Sequence, residues 1–292
     1  TGTRNVAVGF DALGAITTGN DCTAVGHQAL VANTGEHNTG VGRNALAGNT
    51  TGTRNTTVGA VSLDACTTGT DNTSLGYAAL SGSTTANHNT AVGSYAMDAV
   101  VTGDYNTSIG RDSLGALTGG SYNTGLGVYA LWNNTTAAYN TAVGGNAMFD
   151  NTTGGNNVAV GLEALADNTT ASDNTAIGSQ CMRLNTTASN NTAVGKDALY
   201  SNTDVGGQTA VGHSALKANT TGQNGVAVGQ NALLANTTGS NNTAVGHSAL
   251  DANTTASSGV AVGYLALSAN TTGAANVSLG AYTLDANTTG QH

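Results

Sequence analysis

Six histidines, three cysteines and sixteen acidic residues are the groups in this 292-residue chain that could hold a metal, act as nucleophiles or move protons. Cys22, Cys66 and Cys181 stand dozens of residues apart and form neither a CxxC pair nor a Cys/His ligand spacing, which argues against a zinc site or a disulfide framework. They read as small apolar substitutes for Asn or Ala, because an unpaired Cys packs as a small hydrophobe. A nucleophile elbow, a phosphate-binding loop, an HExxH pair, a calcium-binding glycine-rich nonapeptide and a paired-carboxylate pattern are all missing from the sequence. No catalytic residue, cofactor site or metal ligand is assigned, and a protein other than an enzyme is expected. The chemistry that remains is contact chemistry. Tyr105, Tyr122 and Tyr139 recur at one spacing, and Tyr129, Trp132 and Phe149 lie among and just beyond them. Exposed aromatics in such an array could grip sugar rings or a partner protein, and packing between neighbouring rings is the plainer alternative.

What positions these residues is a repeat. An aliphatic residue followed by Gly recurs from Val8-Gly9 to Leu279-Gly280, at steps of 17 residues except for one of 16, between Gly26 and Gly42. Residues 5–292 divide into seventeen tandem units, sixteen of 17 residues and one of 16, and residues 1–4 are the tail of a preceding unit. We number the positions of a unit 1 to 17; Asn242–Ser258 is representative, reading Asn-Thr-Ala-Val-Gly, His-Ser-Ala-Leu, Asp-Ala-Asn-Thr-Thr, Ala-Ser-Ser. Position 4 is always Val, Ile or Leu, position 5 always Gly, position 9 always Leu or Met, and positions 3 and 8 are always small.

Seventeen residues are too few for the helix pairs of longer repeats, and Thr, Val, Asn and Gly at this density make poor helices. The unit suits one coil of a parallel β-solenoid, an all-β fold in which two or three short strands per coil stack on the same strands of the next coil, about 4.8 Å away. One repeat domain of seventeen coils over residues 1–292 is expected. The aliphatic column at position 4 should point inward, with position 2 half-buried beside it and the Leu or Met of position 9 as the second core column. Position 12 is usually Asn but becomes Ile16, Cys66, Ser83, Val100 and Leu117, so it too should be internal, its amides hydrogen-bonded from coil to coil. Position 5 requires either a positive φ or close approach of another backbone. Positions 6, 7, 10, 16 and 17 vary and should face water. Constraint on residues of both strand parities at positions 3, 4, 8 and 9 calls for a second packed face, most simply against another copy of the chain.

The bulk numbers exclude several functions. The net charge of -9 comes from scattered acids, and the seven Lys and Arg residues form no cluster, which disfavours nucleic acid and anionic membranes. No apolar run has the length of a membrane span. The six histidines fall only at positions 6 and 17 as surface decoration. Asn-Thr-Thr at position 12 matches a glycosylation acceptor in form, but glycans one coil apart would collide and the position is expected to be interior.

The segment Asn174-Thr-Ala-Ile-Gly178, like Asn191-Thr-Ala-Val-Gly195, resembles the Asn-Ser-Val-Ala-Ile-Gly signature in the head β-roll of trimeric autotransporter adhesins. The full unit is similar to the tandem repeats of phage tail fibres and bacterial tail-fibre-domain proteins. Adhesin-head repeats are shorter, so the coil outline here must differ. The resemblance covers residues 5–292 and implies a left-handed β-roll, a homotrimer, and an adhesive or structural shaft on a virion or bacterial cell surface, supporting attachment to a host glycan or receptor. A self-assembling extracellular filament is the second expectation, because the repeat starts and stops without a capping unit. An ice-binding solenoid is the third, and its distinguishing mark is Thr-x-Thr on an exposed strand.

Overall fold

A computed structural model describes residues 2–291. The chain falls into two compact units, Thr1–Asn146 and Ala147–His292, and the repeat runs through each. Among the described residues the first unit holds nine strands, from Val6–Val8 to Thr141–Val143, and the second eight, from Val158–Val160 to Val277–Leu279. Each strand is three residues long and occupies positions 2 to 4 of its repeat. Pairing within each unit is parallel and keeps like position on like: Thr56, Thr57 and Val58 face Thr73, Ser74 and Leu75 in the first, and Thr175, Ala176 and Ile177 face Thr192, Ala193 and Val194 in the second. This is a β-solenoid, with one strand per coil rather than two or three.

The remainder of the coil is a chain of turns that still bonds to its neighbours. In coil 4 the N–H of Leu63, position 9, donates forward to Ala79 C=O at 2.9 Å, while that of Val61, position 7, donates back to Arg43 C=O at 2.9 Å. Positions 7, 9 and 17 are left-handed, with φ of 49° at Val61, 49° at Leu63 and 59° at Asp71. Side-chain-bearing residues adopt this region at a cost of about 1–2 kcal/mol each. At position 9 the buried Leu offsets it, since full burial contributes about 1.5–3 kcal/mol, and Leu46, Leu63, Leu114 and Met182 are all fully buried.

The strand faces the opposite way from the sequence expectation at position 4. The middle residue, position 3, is buried in Ala24, Ala91, Ala176 and Ala244, whereas positions 2 and 4 are half-buried or exposed. Leu75, Ile109 and Ile177 of position 4 are 47%, 42% and 39% exposed. Space decides this. Leu30 from position 9 lies over position 3, so that a Cβ placed on Gly40 would stand 3.1 Å from its Cγ. Only a small side chain fits beneath that Leu, and the β-branched residues flanking it must turn outward.

Position 12 is interior, as expected, and forms an amide ladder. Asn168 Nδ2 donates to Asn151 Oδ1 at 2.6 Å and to Ala171 C=O at 3.1 Å. Position 1 forms a second ladder that the sequence reading missed: Asn72 N–H donates to Asn55 Oδ1 at 3.0 Å, and Asn72 Nδ2 to Ala86 C=O at 2.8 Å. Coil 6 departs from the pattern, because Val101 takes the buried place and Val100 is 59% exposed. Position 16 is not free decoration either. Its side chains accept from the preceding coil, as in Asn87 N–H to Asp104 Oδ1 at 2.7 Å and Asp104 N–H to Ser121 Oγ at 3.0 Å. Position 5 meets both conditions set for it: Gly59 has a φ of 147°, and a Cβ there would lie 2.1 Å from Gly76 O.

Candidate functional site

With the core filled by small residues, Leu and Asn, the groups available for contact lie on the outer faces of each unit. The strand face is the most regular. Across the described strands position 2 is Thr or Val and position 4 Val, Ile or Leu, so the face carries no charge. Register sets the columns about 4.8 Å apart along the stack, and alternate side chains of one strand lie about 6.5 Å apart. No strand carries Thr-x-Thr, the pattern expected of an ice-binding face.

The second feature is column 17 of the first unit. Arg54 donates to Asp71 through Nε at 2.6 Å and Nη2 at 2.7 Å, and His88 Nδ1 lies 3.9 Å from the other side of that carboxylate. The guanidinium holds the Asp71 carboxyl below the ordinary aspartate range. Above this pair the column becomes aromatic. His88 and Tyr105 stack with centroids 4.6 Å apart, Tyr105 and Tyr122 at 5.0 Å, and Tyr122 and Tyr139 at 5.2 Å, with planes within 9° of parallel. The three tyrosines are 48%, 50% and 60% exposed. Within the stack each ring covers its neighbour's face, and the column turns ring edges and phenol groups toward water.

Tyr129 and Trp132 form a separate edge-to-face pair at 5.5 Å, and both are half-buried. The indole of Trp132 lies over Gly115, where a Cβ would stand 2.1 Å from its ring. Its role is packing between coils. Phe149, also half-buried, belongs to the second unit. Sequence reasoning missed the pairs of columns 6 and 7, among them Phe10 stacked on His27 at 5.3 Å and Tyr264 edge-on to Tyr282 at 5.2 Å. The Tyr264–Tyr282 pair joins columns 6 and 7, which become neighbours only once the turn between them is known.

The cysteines are buried and free, and burial pushes the thiols of Cys66 and Cys181 up to about 11 and about 12. They stay protonated at neutral pH and are poor nucleophiles and metal ligands. Among the described residues no group of three or more His, Cys, Asp or Glu could hold a metal ion, and no helix is long and apolar enough to cross a membrane. The interior placement of Asn49, Asn134, Asn151 and Asn168 closes those acceptor sequences to glycosylation in the folded chain. No family model and no curated protein matches the chain. The fold is compatible with a structural, fibre-like protein.

Proposed function

We propose that this chain is a non-catalytic shaft segment of an extracellular attachment fibre, on a virion or a bacterial surface, in which three copies associate through their strand faces. One observation carries the reading: position 4 points outward and is nevertheless aliphatic in every coil. A solvent-facing column with no core role would accept polar residues, as columns 6 and 17 do. Continuous exposed apolar surface of this kind marks an association face. Covering a half-exposed Val or Ile contributes about 1 kcal/mol per coil, and the register repeats that gain coil after coil. The aromatic column and the low charge density fit a surface built for contact, and the attachment role follows the resemblance to adhesin heads and tail fibres.

Light scattering with sedimentation tests the association: a species of about three times the 28.5 kDa chain mass is expected. A monomer overturns it, and a mass that grows with concentration points instead to an end-to-end filament. Retention on host cells tests the attachment role separately.

A further inference from the structure

Departures from a repeat are where a solenoid can acquire a site, and the sharpest in the second unit is at positions 14 to 17 of coil 12. The coils on either side read Thr187-Ala188-Ser189-Asn190 and Thr221-Gly222-Gln223-Asn224, but coil 12 reads Asp204-Val205-Gly206-Gly207. The coil-to-coil bonding fails there. From coil 11 to coil 12, Thr203 C=O accepts from Thr186 N–H, Thr187 N–H and the Thr186 hydroxyl at 2.9, 3.1 and 3.1 Å. Among the described residues none of the corresponding bonds reaches Thr220 C=O from coil 12, and the Thr203 hydroxyl turns to Asp204 Oδ1 at 3.2 Å instead. At position 17 Asn190 N–H donates back to Ser172 C=O at 3.2 Å and Asn241 N–H to Gln223 C=O at 2.8 Å, whereas Gly207 and Asn224 make no such bond.

Two buried amide atoms of the same coil are orphaned. Asn191 Nδ2 and Asn202 Oδ1 have no hydrogen-bond partner, although the residues are 1% or less exposed. In coil 11 the equivalent of Asn191, Asn174, donates to Ala188 C=O at 2.9 Å. That carbonyl also accepts from Asn185 Nδ2 at 3.0 Å, whereas in coil 12 the matching carbonyl, Val205 C=O, keeps only the second of these bonds, from Asn202 Nδ2 at 2.9 Å. A notch of about 310 Å³ opens at the break, lined by Asp204, Val205, Gly206, Thr221, Gln223 and Asn224. A Cβ on Gly207 would meet only Asn224 Oδ1, at 3.6 Å, so the missing side chain leaves room that a ligand can use.

We infer that this notch binds a single neutral sugar residue. Its lining combines the carboxylate of Asp204, the amides of Gln223 and Asn224, the hydroxyl of Thr221, and the backbone N–H groups of Asp204 and Asn224, which lack the coil-to-coil bonds their counterparts make. An anion would meet Asp204 unfavourably. A hard cation wants oxygen ligands throughout and would find N–H groups among them. An apolar ligand would find only Val205. A sugar hydroxyl both donates and accepts, which matches the mixed set, and the volume lies at the small end of ligand sites, the size of one ring. The inference deepens the attachment reading and rests on it for its biological setting, but the two fail separately, since mass and cell retention test that reading and direct titration tests this site.

Saturation-transfer NMR on the full chain with glucose, galactose, mannose and N-acetylglucosamine should show transfer to at least one of them. Repairing the repeat with Asp204→Thr, Val205→Gly, Gly206→Ser and Gly207→Asn, the residues of Thr238–Asn241, should weaken binding at least tenfold with an unchanged β circular-dichroism signal. Asp204→Asn, a surface change that leaves the backbone alone, should weaken it about fivefold. Transfer to none of the four sugars, equal transfer to the repaired chain, or transfer abolished by a chelator would each overturn the inference.

Discussion

At the scale of the residue, the two neighbours Ala159 and Val160 carry the contrast between inside and outside. Ala159 is fully buried beneath the Leu column, while Val160 is half-buried on the strand face. Ala159→Asp would bury a carboxylate with no partner, at a cost of several kcal/mol. Hydrogen exchange should show protection lost across Val158–Val160 and Thr175–Ile177, with distant coils unaffected, because in a stack each coil touches only its neighbours. Val160→Asp should leave exchange nearly unchanged and weaken association. Equal damage from the two substitutions would mean that the strand is turned the other way.

At the scale of the element, a coil three strand residues wide cannot be held by apolar burial alone, and the amide ladders supply direction as well as stability. Asn174 accepts from Asn191 N–H at 3.0 Å, and its own N–H and Nδ2 donate to Asn157 Oδ1 and Ala188 C=O at 3.0 and 2.9 Å. These bonds fix the lateral register of one coil on the next, which the small residues of position 3 could not do by shape. Asn174→Ala would leave Asn191 N–H unpaired in the interior, while Ala188 C=O would keep its second donor, Asn185 Nδ2 at 3.0 Å, a loss of about 1–3 kcal/mol for the one buried group. Urea unfolding should show the shift in midpoint. A change below 0.5 kcal/mol, on the order of an ordinary surface substitution, would mean that the ladder is incidental to stability.

For the whole molecule, acid acts on two opposed sets of carboxylates. Asp21 and Asp71 are held low by hydrogen bonds from Arg4 and Arg54, and Glu163 by one from Gln180, with Arg183 beside it. Their contribution is present above the unfolded values and is lost as pH falls through the lowered ones. Asp64, Asp98, Asp167 and Asp251 are instead raised by burial. For these the folded state takes up protons more readily, so stability declines as pH rises through the raised values. Asp98→Asn should therefore stabilise the chain at pH 7, and its advantage should shrink as pH falls through the raised pKa. Thermal melts at neutral and acid pH check this, and an advantage that grows in acid would contradict it.

The sequence by itself determined the period, the parallel stacking of like positions, and the interior placement of the position 9 and position 12 columns. A fixed repeat puts identical side chains on adjacent coils, and a position that exchanges Asn for Cys66 or Leu117 must be screened from water. Only the tertiary structure decided which strand parity faces in. Positions 3 and 4 are both constrained, one by the volume left under Leu and the other by what lies outside, and a sequence pattern does not distinguish those two pressures. The position 1 ladder and the left-handed Leu at position 9 were illegible for a related reason: Asn after a turn reads as a turn residue, and Leu carries no mark of positive φ. The notch at coil 12 stands between these cases. Gly206 and Gly207 are visible as a lapse in the repeat, but that the lapse frees donors and opens a cavity follows only from how coils 12 and 13 meet.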